Sequence, residues 1–270
     1  MGKRTKGSVT IIRPQSAFPE LIVTVPNSWP TVKLAALYDI HHGHELHNES
    51  LFKRHATWLM SEPHVLSFNG GDFFENVVEG SPGIYSQQTK PHVQFNESID
   101  ILQAMQPKLM FGIPGNHEAR TFRRTGFDIA AELAERVGYA YFPDYCFCTI
   151  KWRGMKFRIC AHHGTGAAAT PGGQRNAARK DMPWVGADLY WTGHLHQPMT
   201  DIVYRADYDQ QSDRMVQRTS VVIISPSYLN YFGGYAAAKR LSPGSQGLTV
   251  AELQPDGNID VSMHARGVRL

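Results

Sequence analysis

Five short polar motifs punctuate this chain: Asp39-Ile40-His41, Gly71-Asp72, Gly115-Asn116-His117-Glu118, His162-His163-Gly164 and Gly193-His194-Leu195-His196. Each stands directly after a short apolar run of the length and composition of a buried β-strand. A chain in which five separated strands all end on carboxylate, amide or imidazole groups is strongly constrained. Strand ends of an open α/β sheet are where side chains distant in sequence converge on a rigid support.

The segments between the motifs fit that plan. An apolar strand over residues 32–38, a helix-like stretch over 51–60 and a strand over 64–68 form a strand, crossover, strand unit. A polar insertion over 75–95 is expected to rim the site, followed by a helix over 97–106 and a strand over 108–113. After a helix-like 127–137, residues 145–152 and 155–161 flank Arg153-Gly154 as a hairpin. A Gly- and Ala-rich stretch over 164–173 leads to a basic helix-like run over 174–181 and a strand over 187–192. Further strands are expected near 200–204, 219–225, 247–253 and 259–264, the last two flanking the turn-forming Gln254-Pro255-Asp256-Gly257. The predicted fold class is α/β with α+β character: two mixed β-sheets packed as a sandwich and flanked by helices. With 270 residues and 42% hydrophobic content, the chain reads as one domain over 1–270 with its core in 32–264. Residues 1–30 carry β-like segments at 9–12 and 21–25 broken by prolines, and either join the main sheet or wrap outside it.

Composition excludes more than it selects. A formal net charge of +3 leaves any attraction to nucleic acid to local patches. Cys146, Cys148 and Cys160 form no disulfide framework, and Cys146 and Cys148, two apart in a β-like run, are expected to pack on one sheet face. No apolar stretch of signal-peptide or membrane-span length occurs, so a cytoplasmic protein without a membrane partner is expected.

Two divalent ions about 4 Å apart call for a bridging carboxylate, and Asp72 is placed for it. Asp39, His41 and a later histidine would complete one ion. The Asn116 amide oxygen and two histidines would complete the other. Mixed nitrogen and oxygen donors suit Mn, Fe, Zn, Co or Ni better than Ca or Mg, with Mn favoured.

The ordered set resembles the calcineurin-like metallophosphoesterase superfamily, whose pattern is Asp-x-His, Gly-Asp, Gly-Asn-His-Asp/Glu, His and Gly-His-x-His. The resemblance runs from Asp39 to His196, a little over half of the chain. It implies a double-sheet sandwich and a two-metal phosphoesterase. Asp39, His41, Asp72 and His196 would hold the first metal, and Asp72, Asn116, His194 and the fourth motif's histidine the second. That histidine is His163, directly before Gly, or alternatively His162; consecutive strand side chains face opposite ways, so only one enters the site. The resemblance places His117 beside the substrate phosphate, where it protonates or stabilises the leaving oxygen after attack by a water or hydroxide between the metals.

Residues taken singly have plainer uses: Asp39 can end a strand, and Asn116 can cap a helix. His44 and Glu45, with His42 and His47, read as a polar loop at the metal mouth. Arg120, Arg123 and Arg124 after the third motif, and Arg175, Arg179 and Lys180 after the fourth, are phosphate contacts or solvated helix faces. Of these, Arg120 and Arg124 are the expected substrate contacts. Tyr85, Tyr228 and Tyr231 are base-stacking candidates or packing residues. The expected function is a phosphodiesterase acting on nucleotide or nucleic-acid esters. The alternatives are a phosphomonoesterase or protein phosphatase with the same core, or a non-catalytic scaffold.

Overall fold

A computed structural model describes residues 2–6, 9–81, 83–238, 240 and 242–265. Residues 1, 7, 8 and 266–270, which the one-domain reading includes, lie outside the described residues, as does residue 82 of the polar insertion.

Two mixed sheets carry the fold. The larger has eight strands in the order β1 (Gly2–Lys6), β2 (Val9–Arg13), β3 (Glu20–Thr24), β8 (Tyr145–Trp152), β9 (Met155–His162), β10 (Leu189–Thr192), β12 (Arg214–Ile224) and β11 (Met199–Asp209). The smaller has six: β14 (Ile259–Ala265), β13 (Gly247–Leu253), β4 (Val32–Leu37), β5 (Val65–Asn69), β6 (Leu109–Gly112) and β7 (Ala140–Tyr141). Between them lies an apolar core in which Leu34, Tyr38, Phe68, Phe111, Cys146, Cys148, Ile150, Trp152 and Trp191 are buried. Both thiols face this layer, as strand alternation requires.

Helices cover the outer faces. Leu51, Phe52 and Leu59 of α1 (Glu49–Ser61), Leu102 and Met105 of α2 (Pro91–Met105) and Leu133 and Val137 of α4 (Ile129–Val137) pack on Ala35, Leu37, Val65 and Leu109 of the smaller sheet. Ala178 of α5 (Pro171–Ala178) packs with Tyr190, Val222 and Ile224 on the larger. A short α3 (Glu118–Thr125) ends at Gly126, whose φ of 75° supplies the left-handed turn of a helix C-terminus. The architecture is therefore two mixed sheets with flanking helices, as the segment pattern predicts.

Boundaries differ in informative places. Proline at the first turn starts α2 at Pro91, six residues before the expected 97, because Pro has no amide hydrogen to lose there. The N-terminal segment joins the larger sheet: β3 runs parallel to β8, with Glu20 opposite Phe147 and Thr24 opposite Lys151. The strands expected near 200–204 and 219–225 are eleven residues each and form one hairpin. Among the described residues no helix is long and apolar enough to cross a membrane.

Candidate metal centre

Parallel strands within each sheet deliver the motifs to one end of the sandwich. β4 leads to Asp39 and His41, β5 to Asp72, β6 to Asn116 and His117, and β10 to His194 and His196; β9, also parallel to β10, ends beside His163. Short hydrogen bonds stitch the loops together: Asp39 N–H donates to the Gly71 carbonyl (3.1 Å), His41 N–H to that of Asp72 (3.0 Å) and Gly193 N–H to that of His163 (3.0 Å). The approach is so close that a Cβ on Gly115 would lie 2.0 Å from Asp72 Oδ1, and one on Gly71 2.4 Å from the Gly115 nitrogen. Only glycine fits at either position.

The backbone is strained where it turns the candidate ligands inward. Asp39, His41, Asp72, His194 and His196 all have φ between 52° and 64°. Non-glycine residues in this left-handed region typically cost about 1–3 kcal/mol each, and such strain persists only where the surroundings over-determine it. Five strained positions within one group of candidate ligands mark the loops as shaped for the site rather than for stability.

Two triads of donor atoms result, each with its atoms within 4.8 Å of one another: Asp39, His41 and His196, and Asp72, His163 and His194. In the first, Nε2 of His41 lies 3.2 Å from Nε2 of His196, and Asp39 Oδ1 lies 3.2 Å from His196 Nε2 and 3.9 Å from His41 Nε2. Asp39 Oδ1 is buried without a hydrogen bond. In the second, His163 Nε2 lies 3.2 Å from both Asp72 Oδ2 and Asn116 Oδ1. A 3.9 Å approach of His163 Nε2 to Asp39 Oδ1 brings the triads into contact. These groups can hold metal: lone pairs converge and a buried carboxylate oxygen has no other satisfaction.

Outer hydrogen bonds fix the ring tautomers in the sense that ligation needs. His41 Nδ1 bonds Glu75 Oε2 at 2.9 Å, and His163 Nδ1 donates to the Gly70 carbonyl at 2.9 Å, leaving each Nε2 for the centre. His194 uses Nε2 on the Gly166 carbonyl, at 2.9 Å, leaving Nδ1. Of the two adjacent histidines, His163 belongs to the cluster. His162, the alternative, faces the other side of the sheet, with Nε2 2.9 Å from Asp181 Oδ2.

His117 sits at the edge of this set. Its Nδ1 donates to the Glu75 carbonyl (2.7 Å) with Glu75 Oε2 3.3 Å away, its backbone N–H donates to Asp72 Oδ1 (2.7 Å), and Arg120 Nη2 lies 2.8 Å from its Nε2. Burial lowers the basicity of the ring, but Asp72 and Glu75 more than offset it, so the pKa is raised. Burial and His117 together depress His41 to about 4. Asp72 is held well below the carboxylate range, the charges of His163 and His117 outweighing its burial.

Two carboxylates of the site escaped sequence reasoning. Glu75 lies three residues beyond Asp72, joins His41 and His117 in a third donor group, and has Arg120 Nη1 at 3.7 Å from Oε1. Its only signal was an acidic residue at the start of the polar insertion. Glu118, noted merely as a motif letter, is buried and accepts the N–H groups of Asp72 (2.9 Å), Phe73 (2.8 Å) and Gly115 (2.8 Å), tying the second motif to the third.

The remaining candidates divide. Arg120 is beside His117, whereas the Arg124 guanidinium lies against Gly80 on the polar insertion. Arg175 and Arg179 both pair with Asp201. His44 Nδ1 accepts from Leu46 N–H (2.9 Å), and His42 pairs with Glu97 (2.8 Å). Tyr85 is 97% exposed. Tyr228 is fully buried against His55, its hydroxyl 2.8 Å from the ring nitrogen, so stacking on a base is not open to it.

No protein-family model and no curated protein matches this chain. Among solved structures the chain is similar to the calcineurin-like phosphoesterase YfkN from Bacillus subtilis, at 14% identity and a TM-score of 0.42, over 87% of this chain and 90% of that one.

Proposed function

We propose that this chain is a dinuclear-metal-dependent phosphoesterase, and within that class a phosphodiesterase acting on nucleotide or nucleic-acid esters in the cytoplasm, with manganese as the preferred ion. The observation that carries the class is the buried, unbonded Asp39 Oδ1 among the Nε2 atoms of His41, His196 and His163. Three imidazoles around one buried, unbonded carboxylate oxygen, with Asp72, Asn116 and His194 alongside, form a donor set that cations would satisfy. Asp39, His41 and His196 would hold one ion and Asn116, His163 and His194 the other, with Asp72 shared.

When bound, the two ions supply positive charge on the phosphoryl oxygens and lower the pKa of water to the neutral range. The chain's own groups do the rest. With His117 Nδ1 committed to Glu75, Nε2 would give the proton to the departing oxygen once it is protonated and released from Arg120, whose Nη2 otherwise donates to it. Arg120 is poised to turn its guanidinium from His117 to a phosphate oxygen, a charge-assisted contact. Glu75 keeps both His41 and His117 oriented. The exposed Tyr85 on the insertion would be a surface on which the base of such a diester stacks.

The test is hydrolysis of bis-p-nitrophenyl phosphate and p-nitrophenyl phosphate with Mn, Ni, Co, Zn or Mg. Metal-dependent cleavage of the diester, abolished in Asp72→Ala and reduced about 10²–10⁴-fold in His117→Ala, is expected. Preference for the monoester would move the chain to the phosphatases, and inactivity with every metal would leave the scaffold.

A further inference from the structure

The larger sheet continues past the sandwich as a bare arm. β10 pairs only with Val221–Ile224 of β12, so among the described residues Arg214–Ser220 have no strand neighbour except β11, and the outer edge of β11 pairs with nothing. The arm points away from the metal centre: Ile224 lies level with Thr192 at the motif end, and the hairpin turn follows about 30 Å back along the strands.

Its inner face is the sandwich core carried beyond its cover. Val221 and Ile223 belong to the buried layer between the sheets, and Ile202, opposite Val221, begins an uncovered continuation of that face. Ile202, Tyr204, Tyr208 and Met215 are 53%, 63%, 52% and 65% exposed. A long, unpaired strand with an apolar face is a template for further pairing, and an unsupported two-stranded ribbon is marginally stable in water.

Charge selects the occupant. On the opposite face Arg205 lies directly across from Arg218, and like charges in that relation are destabilising. Asp207 sits 3.1 Å from Arg218, while Arg205 has no ion pair among the described residues. We propose that β11 pairs antiparallel with β11 of a second copy of this chain about a two-fold axis at Ala206, joining the larger sheets of two protomers into one. In that register Arg205 of each chain meets Asp207 of its partner and Tyr204 meets Tyr208, each contact occurring twice. Moving the axis one residue either way would set Arg205 against Arg205 or Asp207 against Asp207.

Sedimentation velocity of the full chain across a wide concentration range tests this. Wild type is expected at the mass of two chains. Arg205→Asp and Asp207→Arg are each expected to weaken association at least about tenfold, with the circular dichroism spectrum of the folded chain unchanged. An equimolar mixture of the two variants, in which opposite charges again face each other, should regain the two-chain mass. Tyr208→Asp gives a second route to dissociation should a charge variant misfold. Phosphoester hydrolysis by folded variants is a separate readout. A wild type of one-chain mass at every concentration would overturn the proposal and leave the face to another partner. A dimer that all three variants retain, or separated variants that fail to associate when mixed, would overturn it equally.

Discussion

Replacing Glu118 by Gln probes how the loops are held, because it keeps size and changes one oxygen to an amide. The carboxylate accepts from Asp72 and Gly115 through Oε2 and from Phe73 through Oε1. In the best rotamer the Gln oxygen retains the first two bonds, stripped of charge, and its NH2 group faces the Phe73 N–H. Two buried donors, the new NH2 group and the Phe73 N–H, are left unpaired at about 1–3 kcal/mol each, and removing a charge that burial and Asp72 disfavour offsets part of this, so the net loss is about 3 kcal/mol. For a domain of this size each kcal/mol lowers Tm by roughly 2–4 °C, giving a fall of about 6–12 °C. Thermal melts by circular dichroism read the stability, and titration calorimetry reads metal binding, which should weaken as Asp72 loses its fixed backbone. A variant that melts within about 2 °C of wild type and binds metal with wild-type affinity would refute the assignment of Glu118 as the tie between the second and third motifs.

Gly115→Ala should lose both stability and metal affinity, since its Cβ would lie 2.0 Å from Asp72 Oδ1 and 2.3 Å from the Asp72 backbone nitrogen; calorimetry and melting curves read the two effects separately. His55, buried against Tyr228, is depressed by burial to about 4. The unfolded chain takes up that proton below about 6.5 and the native chain does not, so stability should fall as pH drops from about 6.5 to 4, by up to about 3 kcal/mol. His55→Gln should flatten that part of the stability profile, as urea melts at several pH values would show. Burial opposes charge on His163, but Asp72 and Asp39 more than offset it and raise the ring to about 10 in the ion-free centre. Ligation must expel that proton, so metal affinity should rise with pH between about 7 and 9 and binding should release a proton, measurable by calorimetry in buffers of different ionisation enthalpy.

What was legible in the sequence is what depends on local pattern. Apolar runs ending on polar motifs placed Asp39, Asp72, Asn116 and His194 at strand ends, and strand alternation separated His162 from His163 in principle, though not which of them faced inward. Tertiary facts were not legible. Nothing in the order of residues shows that Asp39, His41, Asp72, His194 and His196 adopt positive φ, nor that Glu75 folds back between His41 and His117. The full length of the arm is hard to see in the sequence because Asp201, Arg205, Asp207 and Arg218 resemble loop composition, whereas they form one face of a ladder of eleven paired positions. The β-like segment at 21–25 is legible, but not its parallel pairing with β8, more than 120 residues away; such pairing depends on surface offered by another part of the fold.

The most direct test of a two-metal centre is the number of Mn ions bound per chain, measured by elemental analysis of protein equilibrated with excess metal and freed of unbound ion, in wild type and in His196→Ala and His163→Ala. Two ions per wild-type chain are expected, with each variant losing one and bis-p-nitrophenyl phosphate hydrolysis falling in both. A wild-type chain that binds none, or one that both variants retain, would contradict the paired triads as a metal centre.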